Sequence, residues 1–121
     1  MGRNLDELRE EIAPLQADLC SALAHPQRVA ILCTLAEGPA HVSQLAERLG
    51  MSQPTASRHL KLLREQGIVS AKREGVKVFY EVADQRLISA LDLMRAVLRE
   101  RLSHHASVLE ARDTVAAKSQ S

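Results

Sequence analysis

The sequence predicts a mainly α-helical domain carrying one β-hairpin, in the order α-α-α-α-β-β-α. Apolar residues recur at helical spacing in successive segments punctuated by Pro and Gly. Two strand-like runs lie side by side, at residues 68–73 and 76–82. The 121 residues include only two aromatic ones, Phe79 and Tyr80, so the core must be aliphatic, which suits packed helices better than a sandwich of sheets. A chain of this length predicts one domain, over residues 1–113. With 45% hydrophobic and 26% charged residues, the composition argues against global disorder.

Residues 5–12 have helical periodicity with acids in the first turn, where the helix dipole favours them. Pro14 then either kinks this helix or opens a second one, and the first helical region ends by residue 24. Pro26 opens the next helix, whose apolar positions are Val29, Ile31, Leu32 and Leu35, and Gly38-Pro39 stops it. A short helix leads to Gly50. Ser52 is a candidate N-cap for the helix that follows, with Pro54 in its first turn and Ala56, Leu60 and Leu63 on one face. Beyond Gly67 the two strands flank Glu74-Gly75 as a hairpin with a basic tip. Asp84 is a candidate cap for a last long helix, with Leu87, Ile88, Leu91, Met94, Leu98 and Leu102 in a broad apolar stripe. Residues 114–121, small and polar, are expected to fray.

The net charge of +1 is uninformative, but its distribution is not. Residues 1–19 hold five acids against two arginines, while residues 52–80 hold six Lys or Arg against two acids. A basic middle is the footprint of a nucleic-acid binder, or else a solvated helix face. The spacing over residues 42–66, two short helices joined by Gly50-Met51-Ser52, is that of a helix-turn-helix. At about 100° per residue, Arg58 and Lys61 fall opposite the apolar face of the second helix. Its N-terminal end offers Gln53, Thr55 and Ser57, side chains able to reach base edges or phosphates. Lys72, Arg73 and Lys77 lie where a wing would straddle the DNA backbone.

An enzyme is not expected: the chain has no Gly-rich phosphate loop, no Gly-x-Ser-x-Gly elbow and no compact acid/base constellation. No apolar run approaches the roughly 18 residues of a membrane span, and the first residues are too polar for a signal peptide, so a cytoplasmic protein is expected.

Four segments resemble the ArsR/SmtB family: Ala22-Leu-Ala-His-Pro-Gln-Arg28-Val-Ala-Ile-Leu32, Gln44-Leu-Ala46, Ser52-Gln-Pro-Thr-Ala-Ser-Arg-His-Leu-Lys61 and Gly67-Ile-Val69. The resemblance runs over about residues 15–105. It implies a homodimeric winged helix-turn-helix repressor that reads an inverted repeat in double-stranded DNA. It further implies a recognition helix at 53–66, a wing at 68–82, and dimerisation through the first and last helices, 4–24 and 85–112. His59 matches a family histidine on the recognition helix, although a histidine beside Leu60 is more often half-buried packing. The expected DNA contacts are Gln53, Thr55, Ser57, Arg58, His59 and Lys61, with Lys72, Arg73 and Lys77 on the wing.

The resemblance also tests inducer sites. Where arsenic and lead sensors of the family carry Cys-x-Cys, this chain has His41-Val42-Ser43. Where zinc sensors carry Asp-x-His and then His-x-x-Glu, it has Asp84-x-Arg86 and Val97-x-x-Glu100, so both imidazoles are gone. Neither metal site is expected, and no cofactor is implied. His104 and His105 are the remaining imidazole cluster. Adjacent helical residues point about 100° apart, so only a dimer interface could let them share an ion.

Cys33 matches the second-helix cysteine of the redox- and persulfide-sensing branch of the family, but the partner cysteine of the last helix is missing. Cys20 is the only substitute. Free cysteine is most often a small buried apolar side chain. As a sensing site, Cys20 and Cys33 are still the strongest candidates, answering to oxidation, reactive sulfur or arsenite. Two other readings stay open: a repressor with no small-molecule inducer, and a helical protein-interaction module.

Overall fold

The computed structural model describes residues 4–120, with side chains described for residues 4–112. Five helices and three strands follow in the order α1 (Leu5–Leu23), α2 (Pro26–Leu35), β1 (Ala40–His41), α3 (Val42–Leu49), α4 (Gln53–Glu65), β2 (Val69–Glu74), β3 (Lys77–Val82) and α5 (Gln85–Gln120). The chain divides into two compact units, Met1–Ile88 and Ser89–Ser121. The second unit is α5 from Ser89 onward, whose contacts are mainly the turn-to-turn contacts of one helix.

Each helix of the first unit starts on a cap written in the sequence. The Asn4 side chain accepts the Glu7 N–H at 2.8 Å, and the acids of the first turn, Asp6 and Glu7, complement the helix dipole. His25 Nδ1 accepts the Gln27 N–H at 3.2 Å, with Pro26 at the first helical position of α2. His41 and Gln44 form a reciprocal capping box at the start of α3. Ser52 caps α4, its Oγ accepting the Thr55 N–H at 3.2 Å. Gly50, at φ 66°, ends α3 in the left-handed region, where a side chain would be strained, and so turns the chain directly into Ser52.

The core of this unit is wholly aliphatic. Ile31, Leu32 and Leu35 of α2, Leu45 and Ala46 of α3, and Ala56, Leu60 and Leu63 of α4 close around Ile68, Val69 and Val82 at the root of the hairpin. No polar or charged side chain is buried among the described residues. The predicted inward faces of α2 and α4 are these residues, except that Val29 is only half-buried.

Three sequence expectations differ from the structure. Pro14 neither splits nor restarts α1, which is one helix of 19 residues. Proline removes one backbone donor, and the residues on either side are good enough helix formers to carry the helix past it. The sheet has a third strand, β1, so its order is β1-β3-β2, antiparallel throughout, with Ala40 opposite Tyr80 and His41 opposite Phe79. Two residues are too few to show an alternating pattern. The α5 backbone stays helical to Gln120, past Thr114 where fraying was expected, because no Gly or Pro interrupts that stretch. Met94, Leu98 and Leu102 of the α5 apolar stripe are exposed, at 51, 55 and 68%. No helix among the described residues is long and apolar enough to cross a membrane.

Candidate nucleic-acid interface

The helix-turn-helix is α3 and α4, and its packing decides which side chains point outward. With Ala56, Leu60 and Leu63 buried, Gln53, Ser57, Arg58 and Lys61 of α4 are exposed, and Thr55 and His59 are half-buried. The start of α4 is already ordered by its own hydrogen bonds. Ser52 Oγ donates to Thr55 Oγ1 at 2.8 Å and Arg58 Nη2 donates to the same oxygen at 3.3 Å. The Thr55 hydroxyl oxygen therefore has both acceptor positions occupied and keeps only its proton to offer. Gln53 Nε2 donates to Ser43 Oγ at 3.3 Å, tying the first residue of α4 back to α3. Replacing Ser52 with alanine removes the cap and is expected to lower stability by about 1 kcal/mol, read as a fall in the urea midpoint with unchanged m-value.

His59 has a partner that no local pattern announces. Its Nε2 lies 2.9 Å from Gln27 Oε1, across 32 residues of sequence, and its ring stands 4.7 Å from that of His25, tilted by 53°. Burial, and then the nearby His25, Arg28 and Arg58, hold its pKa below the ordinary histidine value, so it is neutral at pH 7. Half-buried packing, with a specific hydrogen bond added, describes it better than an open base-reading side chain. Arg28, also outside the predicted site, donates to the carbonyls of Ala22 at 2.5 Å and Ser21 at 3.3 Å, closing the end of α1.

The wing is a hairpin with a two-residue loop, Gly75-Val76, between the facing residues Glu74 and Lys77. Gly75, at φ 63°, occupies the first loop position, as a tight hairpin turn of this hand requires. Cross-strand partners share a face, so Lys72, opposite Phe79, and Lys77, opposite Glu74, project to one side. Arg73, opposite Val78, projects to the other, the side that becomes buried at Val69 and Val82. The three wing cations are thus divided between the two faces, and all three are exposed.

The residues at the family's metal positions are engaged otherwise. His41 spends Nδ1 on the α3 cap, and its ring meets Phe79 edge-on at 5.6 Å. Asp84 is held by Arg86, whose Nε and Nη2 donate to the carboxylate at 2.6–3.1 Å, and it also accepts the Arg86 N–H at 2.9 Å. These side-chain bonds, with the backbone bond next, bring the Asp84 pKa down to about 2. Among the described residues no group of three or more His, Cys, Asp or Glu could hold a metal ion, His104 and His105 included. Of the two cysteines, Cys20 is exposed and Cys33 half-buried, so neither is the fully buried side chain that free cysteine usually is. The helix periodicity could not tell this, because the exposed flank of α1 also carries Leu15.

A trihelical core, a helix-turn-helix with a polar and cationic outer face, and a hairpin beside it define a winged-helix DNA-binding domain. The sequence model of the arsR family of bacterial regulatory proteins matches residues 25–71. A biofilm growth-associated repressor of Agrobacterium fabrum is 39% identical over 88 residues, covering 73% of this chain and 75% of that one. Among solved structures, the homodimeric winged helix-turn-helix domain of a possible ArsR-family regulator from Mycobacterium bovis superposes with a TM-score of 0.74 at 32% identity, over 85% of this chain and 94% of the other. Reduced HlyU from Vibrio cholerae superposes with a TM-score of 0.67 at 31% identity, over 77 and 97%. The chain belongs to the arsR family, and as a member it is a regulator rather than a catalyst.

Proposed function

We propose that this arsR-family regulator is a homodimeric repressor of an inverted-repeat operator, released by chemistry at the thiols of Cys20 and Cys33. The observation that carries the DNA-binding part is the outer face of α4, where Gln53, Ser57, Arg58 and Lys61 stand exposed directly opposite a fully buried apolar face. Arg58 and Lys61 neutralise phosphates; Gln53 and Ser57 meet base edges; Thr55 and His59 hold the helix in place. Lys72 and Lys77 reach the backbone from one face of the wing and Arg73 from the other.

Dimerisation is supported by two exposed apolar surfaces, one on α1 and one on α5. On α1, Leu5, Ile12 and Leu15 are 53–69% exposed, and on α5 Leu93, Met94, Val97, Leu98 and Leu102 are 49–70% exposed. Helices of a monomer rarely leave such stripes to water. A twofold dimer sets two recognition helices about 34 Å apart, one turn of DNA.

Release through thiols is supported by the accessibility of Cys20 and by the residues that occupy the family's metal positions. Fluorescence anisotropy on DNA from upstream of the gene tests the whole reading. Reduced protein binds, and an organic polysulfide or arsenite releases it by at least about tenfold in Kd, whereas Cys33→Ser binds and no longer responds. Tight binding under every condition would instead favour a repressor governed by its own concentration. Zinc added to the reduced protein should change nothing.

A further inference from the structure

His25, Gln27 and His59 meet where α2 begins, and their bonds specify protonation. His25 Nδ1 accepts the Gln27 backbone N–H, so that nitrogen carries no proton. The same glutamine offers its side-chain oxygen to His59, which therefore carries its proton on Nε2. One residue thus links the cap of α2 to the middle of the recognition helix, while the two rings lie 4.7 Å apart.

The surroundings are one-sided. His25 and Arg28 from the α2 side and Arg58 from α4 itself bear on His59. No carboxylate is among the groups that bear on the ring. A second proton on His59 would meet only cations, and a proton on His25 Nδ1 would abolish the cap.

We propose that this triplet is the joint that sets the recognition helix on α2, with His25 and Gln27 as positioning residues for DNA reading, and that it holds only while the His59 imidazole is neutral. The DNA part rests on the function proposed above; the joint itself does not. The sign of the pH dependence follows from His59. Its pKa is lowered in the folded chain, so as the pH drops below the unfolded value of about 6.5 the unfolded chain takes up a proton that the fold refuses. Stability from the joint is complete above that pH and is lost on acidification.

Thermal unfolding at pH 7.5 and 5.5 tests the joint without DNA. The wild-type Tm falls by roughly 5 °C on acidification beyond the fall in His59→Asn, which carries no titrating ring at that position. Gln27→Glu puts a carboxylate against His59, so its own slope reverses and the variant gains stability at pH 5.5. Anisotropy at pH 7.5 tests positioning: Gln27→Ala, with unchanged helix content, binds the upstream duplex about tenfold more weakly. Equal slopes in wild type, His59→Asn and Gln27→Glu overturn the joint, and undiminished binding by Gln27→Ala overturns the positioning role. Opposite slopes with no duplex binding even by wild type would uphold the joint and remove the DNA-binding reading instead.

Discussion

Arg58→Ala combined with Lys61→Ala is expected to weaken operator binding by roughly 100-fold or more at moderate salt, each lost contact contributing on the order of 1–3 kcal/mol. Both side chains are exposed and project from the outer face of α4. Neutralised phosphates release counterions, so the plot of log K against log salt should also become shallower by about 3.6 for the dimer, at 0.9 for each of the two phosphates lost per protomer. Stability should stay within about 0.5 kcal/mol of wild type, since neither side chain is buried. A double variant with undiminished affinity and an unchanged salt slope would make the basic face incidental. Retained binding to a protein partner would then favour an interaction module.

Leu60→Ala, one position from Lys61, should have the opposite profile. Leu60 is completely buried, so truncation leaves a cavity between α4 and its neighbours and costs about 3 kcal/mol, within the usual 2–5. Against a typical total of roughly 5–15 kcal/mol, that is enough to lower the urea midpoint sharply. Lys61→Ala alone should hardly move the midpoint. The contrast between adjacent residues tests the orientation of the recognition helix: similar losses at both positions would mean that α4 is rotated from the face described.

The Leu60 and Lys61 pair also shows why this part of the molecule was legible beforehand. Ala56, Leu60 and Leu63 repeat at helical spacing, and Ser52, Gly50 and Gly67 mark the ends of the elements around them. Those are local signals, each decided within one or two turns of backbone. The same holds for the hairpin, where Gly75 and the alternation of Val78 and Tyr80 suffice. Strand β1 was missed because it exists only through its pairing with β3. The division of Lys72 and Lys77 from Arg73 needed the register of that hairpin, which a one-residue slip would have inverted.

By itself, then, the sequence determined the helix-turn-helix, the Ser52 cap, the aliphatic core and the residues facing out of α4, because periodicity and capping act over a few neighbouring residues. Only the tertiary structure decided that Gln27 reaches His59 and that Cys20 is exposed. Contacts between residues far apart in the chain depend on how helices pack, and exposure depends on what the rest of the fold leaves uncovered. Neither quantity is written in the spacing of one segment.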